Sequence, residues 1–199
     1  CEKPLVLNPW NIDALEEIER ETGKKVYTVL QLRLHESVIA LKKLVDESAE
    51  DRVFDVNLKY ITSRGNWYRY SWKGDVQKSG GIATNIGVHF FDMLTWVFGD
   101  VLENNVEFHE AGRAAGKLKL TRANVNWHLS IDENDLPEEV SEKGIRTFRS
   151  ILIDDQAFEF SKGFTDLHTV CYQEVLDGKG YGLQASKRAI ELVRQIRES

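Results

Sequence analysis

The sequence predicts an α+β fold: a largely antiparallel, open-faced sheet with helices on one face, preceded by the closing helix and strand of a doubly wound domain. Three observations carry this. Short strand candidates follow one another closely between Asn105 and Phe160, which favours antiparallel neighbours. A strongly apolar helix precedes that run and two amphipathic helices follow it. The chain itself opens with a helix and then a buried-looking strand, half of a βαβ unit.

Taken in order, Trp10 to Thr22 reads as a helix with Ala14, Leu15 and Ile18 on one face, stopped by Gly23. Lys25 to Arg33 reads as a strand, because Val29 to Leu32 contains the short apolar run of a buried parallel strand. Glu36 to Ser48 spaces Val38, Leu41, Leu44 and Val45 by threes and fours, the period of an amphipathic helix. Val53 to Thr62 alternates apolar and polar residues, as a half-buried strand does. The next 17 residues, Ser63 to Ser79, show no period and read as a long loop. Gly80-Gly81 then breaks the chain, and a helix is expected to open near Asn85, a good N-cap residue, and to run apolar from Ile86 to Phe98. Strands are expected at Asn105–Glu110, Lys117–Arg122, Ala123–Ile131, Ile145–Ile153 and Ala157–Phe160, joined in a meander. Asp132 to Lys143 is acidic, carries Pro137 and reads as a solvated loop. Thr165–Leu176 and Leu183–Arg197 close the chain as helices.

Composition narrows the function classes. The 199 residues are 42% hydrophobic, enough for one domain or one and a piece. A net charge of −6 argues against general affinity for nucleic acid or anionic membrane. No apolar run approaches the roughly 20 residues that span a bilayer. Cys1 and Cys171 form neither a disulfide framework nor a metal-ligand spacing, so a reducing, cytoplasmic setting is the default. The chain begins without Met, in what reads as a strand end and a turn. It is expected to be a piece of a longer polypeptide and, alone, inactive.

Four places can carry chemistry. Asn85 and His89 stand one helical turn apart and project from one side. They are either a polar pair offered to a ligand or an ordinary N-cap with a core histidine. The loop from Ser63 to Ser79 holds Arg64, Arg69, Lys73 and Lys78 against Asp75, a net +3 that leaves −9 for the rest of the chain. Interleaved with Trp67, Tyr68, Tyr70 and Trp72, those cations can grip a phosphorylated, ring-containing ligand. A self-packed surface loop or an oligomer contact is the other reading, and single-stranded RNA a remote third. Lys3 alone reads as a surface lysine. Gln31, Arg33 and His35 follow the first strand, where carboxyl ends of parallel strands open ligand crevices, so Arg33 is a candidate contact. His109, His128 and His168 share no metal-ligand spacing and read as structural; no zinc site is proposed.

Together, Glu2-Lys3-Pro4 at a strand end and Gly80-Gly81 with Asn85 and His89 resemble the Gfo/Idh/MocA-type oxidoreductases, nicotinamide-dependent sugar and cyclitol dehydrogenases. The resemblance implies that residues 1–34 close an N-terminal Rossmann domain. Residues 35–199 would form the C-terminal domain that binds substrate and carries oligomer contacts. It implies NAD as cofactor, with Lys3 and His89 catalytic and Lys3 also touching the cofactor. The family's aspartate is replaced here by Asn85, which leaves Lys3 and His89 to handle protons: His89 as base, with Lys3 the close alternative. The run from Arg64 to Tyr68, then Ser71 to Asp75 and Ser79 to Asp92, looks like the branch acting on UDP-N-acetylglucosaminuronate (UDP-GlcNAcA). That branch oxidises the sugar 3-hydroxyl on the route to bacterial surface polysaccharide (lipopolysaccharide O-antigen). By this resemblance Asn85 hydrogen-bonds the sugar, Arg64, Trp67, Tyr68 and Lys73 meet the uronate or diphosphate, and a homodimer or homotetramer forms through the open sheet. A Gly-rich dinucleotide fingerprint is absent, as expected if the Rossmann part precedes Cys1. The rival readings are a dehydrogenase for another sugar or polyol and a non-catalytic scaffold built on the same sheet.

Overall fold

Six strands form one open sheet: β1 (Phe54–Thr62), β2 (Val101–His109), β3 (Arg113–Leu120), β4 (Ala123–Ser130), β5 (Thr147–Ile153) and the short β6 (Gln156–Ala157). These come from a computed structural model that describes residues 1–160 and 166–199. The order across the sheet is β2-β3-β4-β1-β5-β6. Strands β2, β3 and β4 make the expected meander, and β1 lies parallel to β4 while every other pairing is antiparallel.

Alternation decides which face is covered. On β1, Phe54, Val56 and Leu58 are buried while Asp55 and Lys59 are exposed; on β4, Val125 and Trp127 are buried while Asn124 and Asn126 are exposed. The buried face receives α2 (Glu36–Glu47), α5 (Val88–Phe98) and α8 (Leu183–Glu198), whose Val38, Leu94 and Ile190 join one core with the strands. The other face is polar and laddered by Lys119–Glu103 (3.0 Å), Lys117–Glu107 (3.4 Å) and Asn126–Asn57 (3.1 Å).

Helix α5 is the centre of the packing. Its rings meet the sheet three times: Phe98 with Phe54 (5.8 Å between centroids), Phe91 with Trp127 (5.2 Å) and Phe90 with Tyr60 (4.8 Å). Each buried side chain of this size contributes about 1.5–3 kcal/mol, so α5 is held firmly and its first turn becomes a fixed platform.

Several elements differ from expectation. Residues 24–30 belong to no strand; Thr28 N–H donates to the Tyr181 carbonyl and Val29 N–H to that of Cys1, both at 2.8 Å. With the bond from the Cys1 amino group to the Tyr27 carbonyl (2.7 Å), that is two bonds to one side and one to the other, too few for a ladder, so β propensity alone does not make a strand here. Gln31–Leu34 is a 3-10 turn instead of a strand end. The stretch expected as a loop winds into α3 (Asn66–Tyr70), a 3-10 turn (Trp72–Gly74) and α4 (Val76–Ser79), each too short for a periodic signal. Within the acidic segment, α6 (Glu138–Ser141) forms a single turn. Helix α1 (Pro9–Thr22) ends at Gly23 as expected, with φ 68°. Helix α7 spans Leu167–Leu176; Thr165, where it was expected to begin, lies outside the described residues.

Asn85 is not an N-cap. Gly80 and Gly81, at φ 75° and 74°, turn the chain through the left-handed region. Helical dihedrals begin at Ile82, and Ala83–Gly87 forms a π turn before α5. Gly87 lets that wide turn lie on the sheet, since a Cβ there would come within 2.7 Å of Leu129 Cδ1 and Phe91 Cε2.

Candidate functional site

The π turn carries Asn85 and, one turn on, His89 sits in the first turn of α5. Inserted residues of this kind widen a helix locally and recur at functional sites. The Asn85 carbonyl accepts a hydrogen bond from Lys3 Nζ at 3.1 Å, and its side-chain Nδ2 donates to Tyr68 Oη at 2.8 Å. Residues separated by most of the domain thus meet in one chain: Lys3, Asn85, Tyr68.

Lys3, Asn85, His89 and Arg64 line one cavity of about 220 Å³, walled by Tyr60, Phe90 and Phe160. Arg149, on β5, completes it. Among the described lining residues there is no aspartate or glutamate. Lys3, Arg64 and Arg149 thus give this hollow a cationic lining in a chain of net charge −6. Arg64 also lines a second, outer cleft of about 510 Å³ with Tyr68, Gly74, Glu110 and Arg113.

Electrostatics set the two proton-handling groups far apart. Burial lowers the Lys3 amine from its ordinary value to about 8, with Lys73 and Arg64 adding to the effect and Glu2 opposing it. His89 is pushed down to about 3, chiefly by burial and then by the charges of Lys3, Arg149 and His168. The imidazole is therefore neutral at any working pH, whereas the amine gains and loses a proton near neutrality. Burial raises the Tyr68 phenol, which keeps it protonated.

Of the residues singled out in the sequence, Lys3, His89, Asn85 and Arg64 converge on the cavity. Tyr68 stands behind Asn85 and on the outer cleft. Trp67 is 55% exposed and lies edge-on to Tyr68 (5.8 Å), and Lys73 covers Trp72 (5.8 Å). Neither Trp67 nor Lys73 lines the cavity, although the Lys73 charge reaches Lys3.

Arg33 corrects the expectation of a substrate contact. It is buried, its Nε and Nη2 donating to Asp92 Oδ2 (3.0 Å) and Oδ1 (2.6 Å), with Nη2 also donating to the Ala185 carbonyl. Because Gln31–Leu34 coils instead of ending a strand, the guanidinium turns towards α5 and not into a crevice. Burial presses the Asp92 carboxyl upwards, and the paired guanidinium opposes it in part.

Sequence reasoning missed Arg149. The signal was present: along β5 it is in phase with Ile151 and Ile153, so it falls on the helix-covered face. Its cross-strand neighbour is Tyr60, and the guanidinium sits 5.6 Å from that ring and 5.0 Å from Phe160. A cation in the apolar phase of a strand is a functional flag.

Among the described residues no helix is long and apolar enough to cross a membrane.

Residues 42–126 match the model of an oxidoreductase family, C-terminal alpha/beta domain. The chain is 49% identical to the WlbA (WbpB) dehydrogenase of Thermus thermophilus solved with NAD and alpha-ketoglutarate, with a TM-score of 0.93; the match covers 98% of this chain and 63% of that one. The same dehydrogenase solved with NAD and UDP-GlcNAcA gives 48% identity, a TM-score of 0.92, and coverage of 98% and 62%. The putative oxidoreductase YteT of Bacillus subtilis is 27% identical over 140 residues, 69% of this chain and 30% of that protein. The chain therefore spans less than two thirds of the length of these relatives.

Proposed function

We propose that this chain, which carries the C-terminal α/β domain of the Gfo/Idh/MocA oxidoreductase family, is the substrate-binding part of an NAD-dependent dehydrogenase that oxidises the 3-hydroxyl of UDP-GlcNAcA. The observation that carries this is the cavity where Lys3 and His89 meet beside Arg64 and Arg149 with no described acid in the wall. A sugar bearing a carboxylate and a diphosphate matches a wall of this charge better than a neutral polyol does.

In this reading residues 1–34 close the Rossmann domain and 35–199 form the substrate and oligomer domain. The cavity chemistry fits the reactive end of a nicotinamide: an amine and an uncharged imidazole line the same hollow. NAD, when bound, supplies the acceptor for the hydride leaving the carbinol carbon.

The chain's own groups handle the hydroxyl proton. Lys3 Nζ, near pKa 8, is matched to take it close to neutral pH. His89, neutral throughout, donates its ring N–H to the hydroxyl oxygen and holds it in line while Lys3 takes the proton. This reverses the order expected from the sequence, in which His89 was the base and Lys3 the alternative. Asn85, its amide fixed by Tyr68, supplies a neutral contact to the sugar. Arg64, between cavity and outer cleft, meets the diphosphate.

The product fits bacterial surface polysaccharide synthesis, O-antigen included, in the cytoplasm, where the free thiols of Cys1 and Cys171 persist. The polar, open sheet face is the surface through which a homodimer or homotetramer would form. The test is NADH formation by the full-length polypeptide supplied with UDP-GlcNAcA, run beside free polyols. Turnover of a polyol with none of the uronate would replace this function with the rival one.

A further inference from the structure

Resting on the reading above, the cavity assigns a separate role to Arg149: we propose that it reads the carboxylate at C5 of the sugar ring and so sets the preference for a uronic acid over the neutral hexose. The argument is one of ring chemistry. In a hexopyranosyl nucleotide the diphosphate is on C1, the reacting hydroxyl on C3 and the carboxylate on C5. These are alternate ring positions, so the three substituents point to three corners of a triangle.

The cavity wall offers three groups of matching kinds. Lys3 and His89 form one, where the hydroxyl reacts. Arg64 forms the second, and it is the cation that also lines the outer cleft. The diphosphate must leave by that side, because about 220 Å³ holds a single substituted ring and no nucleotide; a cavity of about 150 Å³ already suffices for benzene. Arg149 is the third. It lines the inner cavity, and the outer cleft is lined without it.

With C3 at Lys3 and His89 and C1 towards Arg64, C5 falls to Arg149. Its placement suits a fixed reader. The β1–β5 register sets it opposite Tyr60, and the rings of Tyr60 and Phe160 flank the guanidinium at 5.6 and 5.0 Å. Aromatic flanks orient the planar fork for a two-pronged carboxylate contact.

The test compares the full-length wild type with Arg149→Met for calorimetric affinity towards UDP-GlcNAcA and UDP-N-acetylglucosamine, which differ only at C6. The wild type is expected to prefer the uronate by about 10²-fold, the weight of a desolvated charged pair. Arg149→Met should bring the two affinities within a few fold by losing uronate binding alone. If Arg149→Met does not fold, Arg149→Lys keeps the charge without the fork and should lose about tenfold on the uronate only. Equal losses on both sugars, or an unchanged preference, overturn the assignment. Wild-type turnover of UDP-GlcNAcA, measured alongside, separates the two claims: turnover with an unchanged preference defeats the role of Arg149 and leaves the function standing, whereas absent turnover defeats the function itself.

Discussion

Lys3 Nζ donates a 3.1 Å hydrogen bond to the main-chain carbonyl of Asn85, 82 residues further along the chain. This contact brings the start of the chain onto the π turn that leads into α5, and it places an amine and an imidazole in one hollow.

The first prediction concerns pH. If Lys3 is the base, it must be unprotonated to act. Then kcat/KM of the full-length enzyme should fall about tenfold per unit below pH 8 and level off above it. The limb should persist in His89→Gln, at a lower plateau. A flat profile across the neutral range would remove Lys3 from the role.

His89→Ala should lower turnover by about 10²–10⁴-fold, the range for loss of a proton-handling group, while affinity for NAD stays close to wild type. Turnover and NAD titration on the same preparation check this.

The buried imidazole also shapes stability. Its folded pKa, about 3, lies below the ordinary 6.5. The unfolded chain therefore binds the extra proton throughout that window, and stability falls as pH drops from 6.5 towards 3. At pH 5 the loss from this group is about 2 kcal/mol. Urea unfolding across that range should show a shallower decline in His89→Gln; identical slopes would contradict a neutral, buried His89.

The Arg33–Asp92 pair is shielded from solvent and doubly bonded. Removing either partner, as in Arg33→Met or Asp92→Asn, should cost about 3–5 kcal/mol, because a charge is left buried alone. Replacing both with apolar residues should restore most of that. A single variant within experimental error of wild type in a denaturant melt would refute the strut.

At Gly87 a methyl group has no room. Gly87→Ala should lose about 1–3 kcal/mol through overpacking and should also reduce activity, since the turn that carries Asn85 must lift from Leu129. Thermal melts and turnover measured together test both.

The sheet and its helices were legible because their residues carry unambiguous periods: β1 alternates, α2 and α8 are striped, and α5 is apolar nearly all round. What was not legible depends on partners or on very short runs. Residues 24–30 have the composition of a strand but only isolated backbone bonds at their sides. The turns between Asn66 and Ser79 are too brief to show a period. The π turn has no compositional signature, so Asn85 passed for an N-cap. Lys3 and His89 were placed together by family resemblance, and the coordinates supply the cavity. Arg33 was misplaced because its role follows from a distant aspartate, and Arg149 was passed over although its phase along β5 marked it.

The most direct test of the central claim is NADH formation from UDP-GlcNAcA by the full-length polypeptide, wild type against Lys3→Met. We expect turnover in the wild type and a loss of at least about 10²-fold in the variant, the contribution of a positioned base. Equal rates in the two proteins would contradict the account.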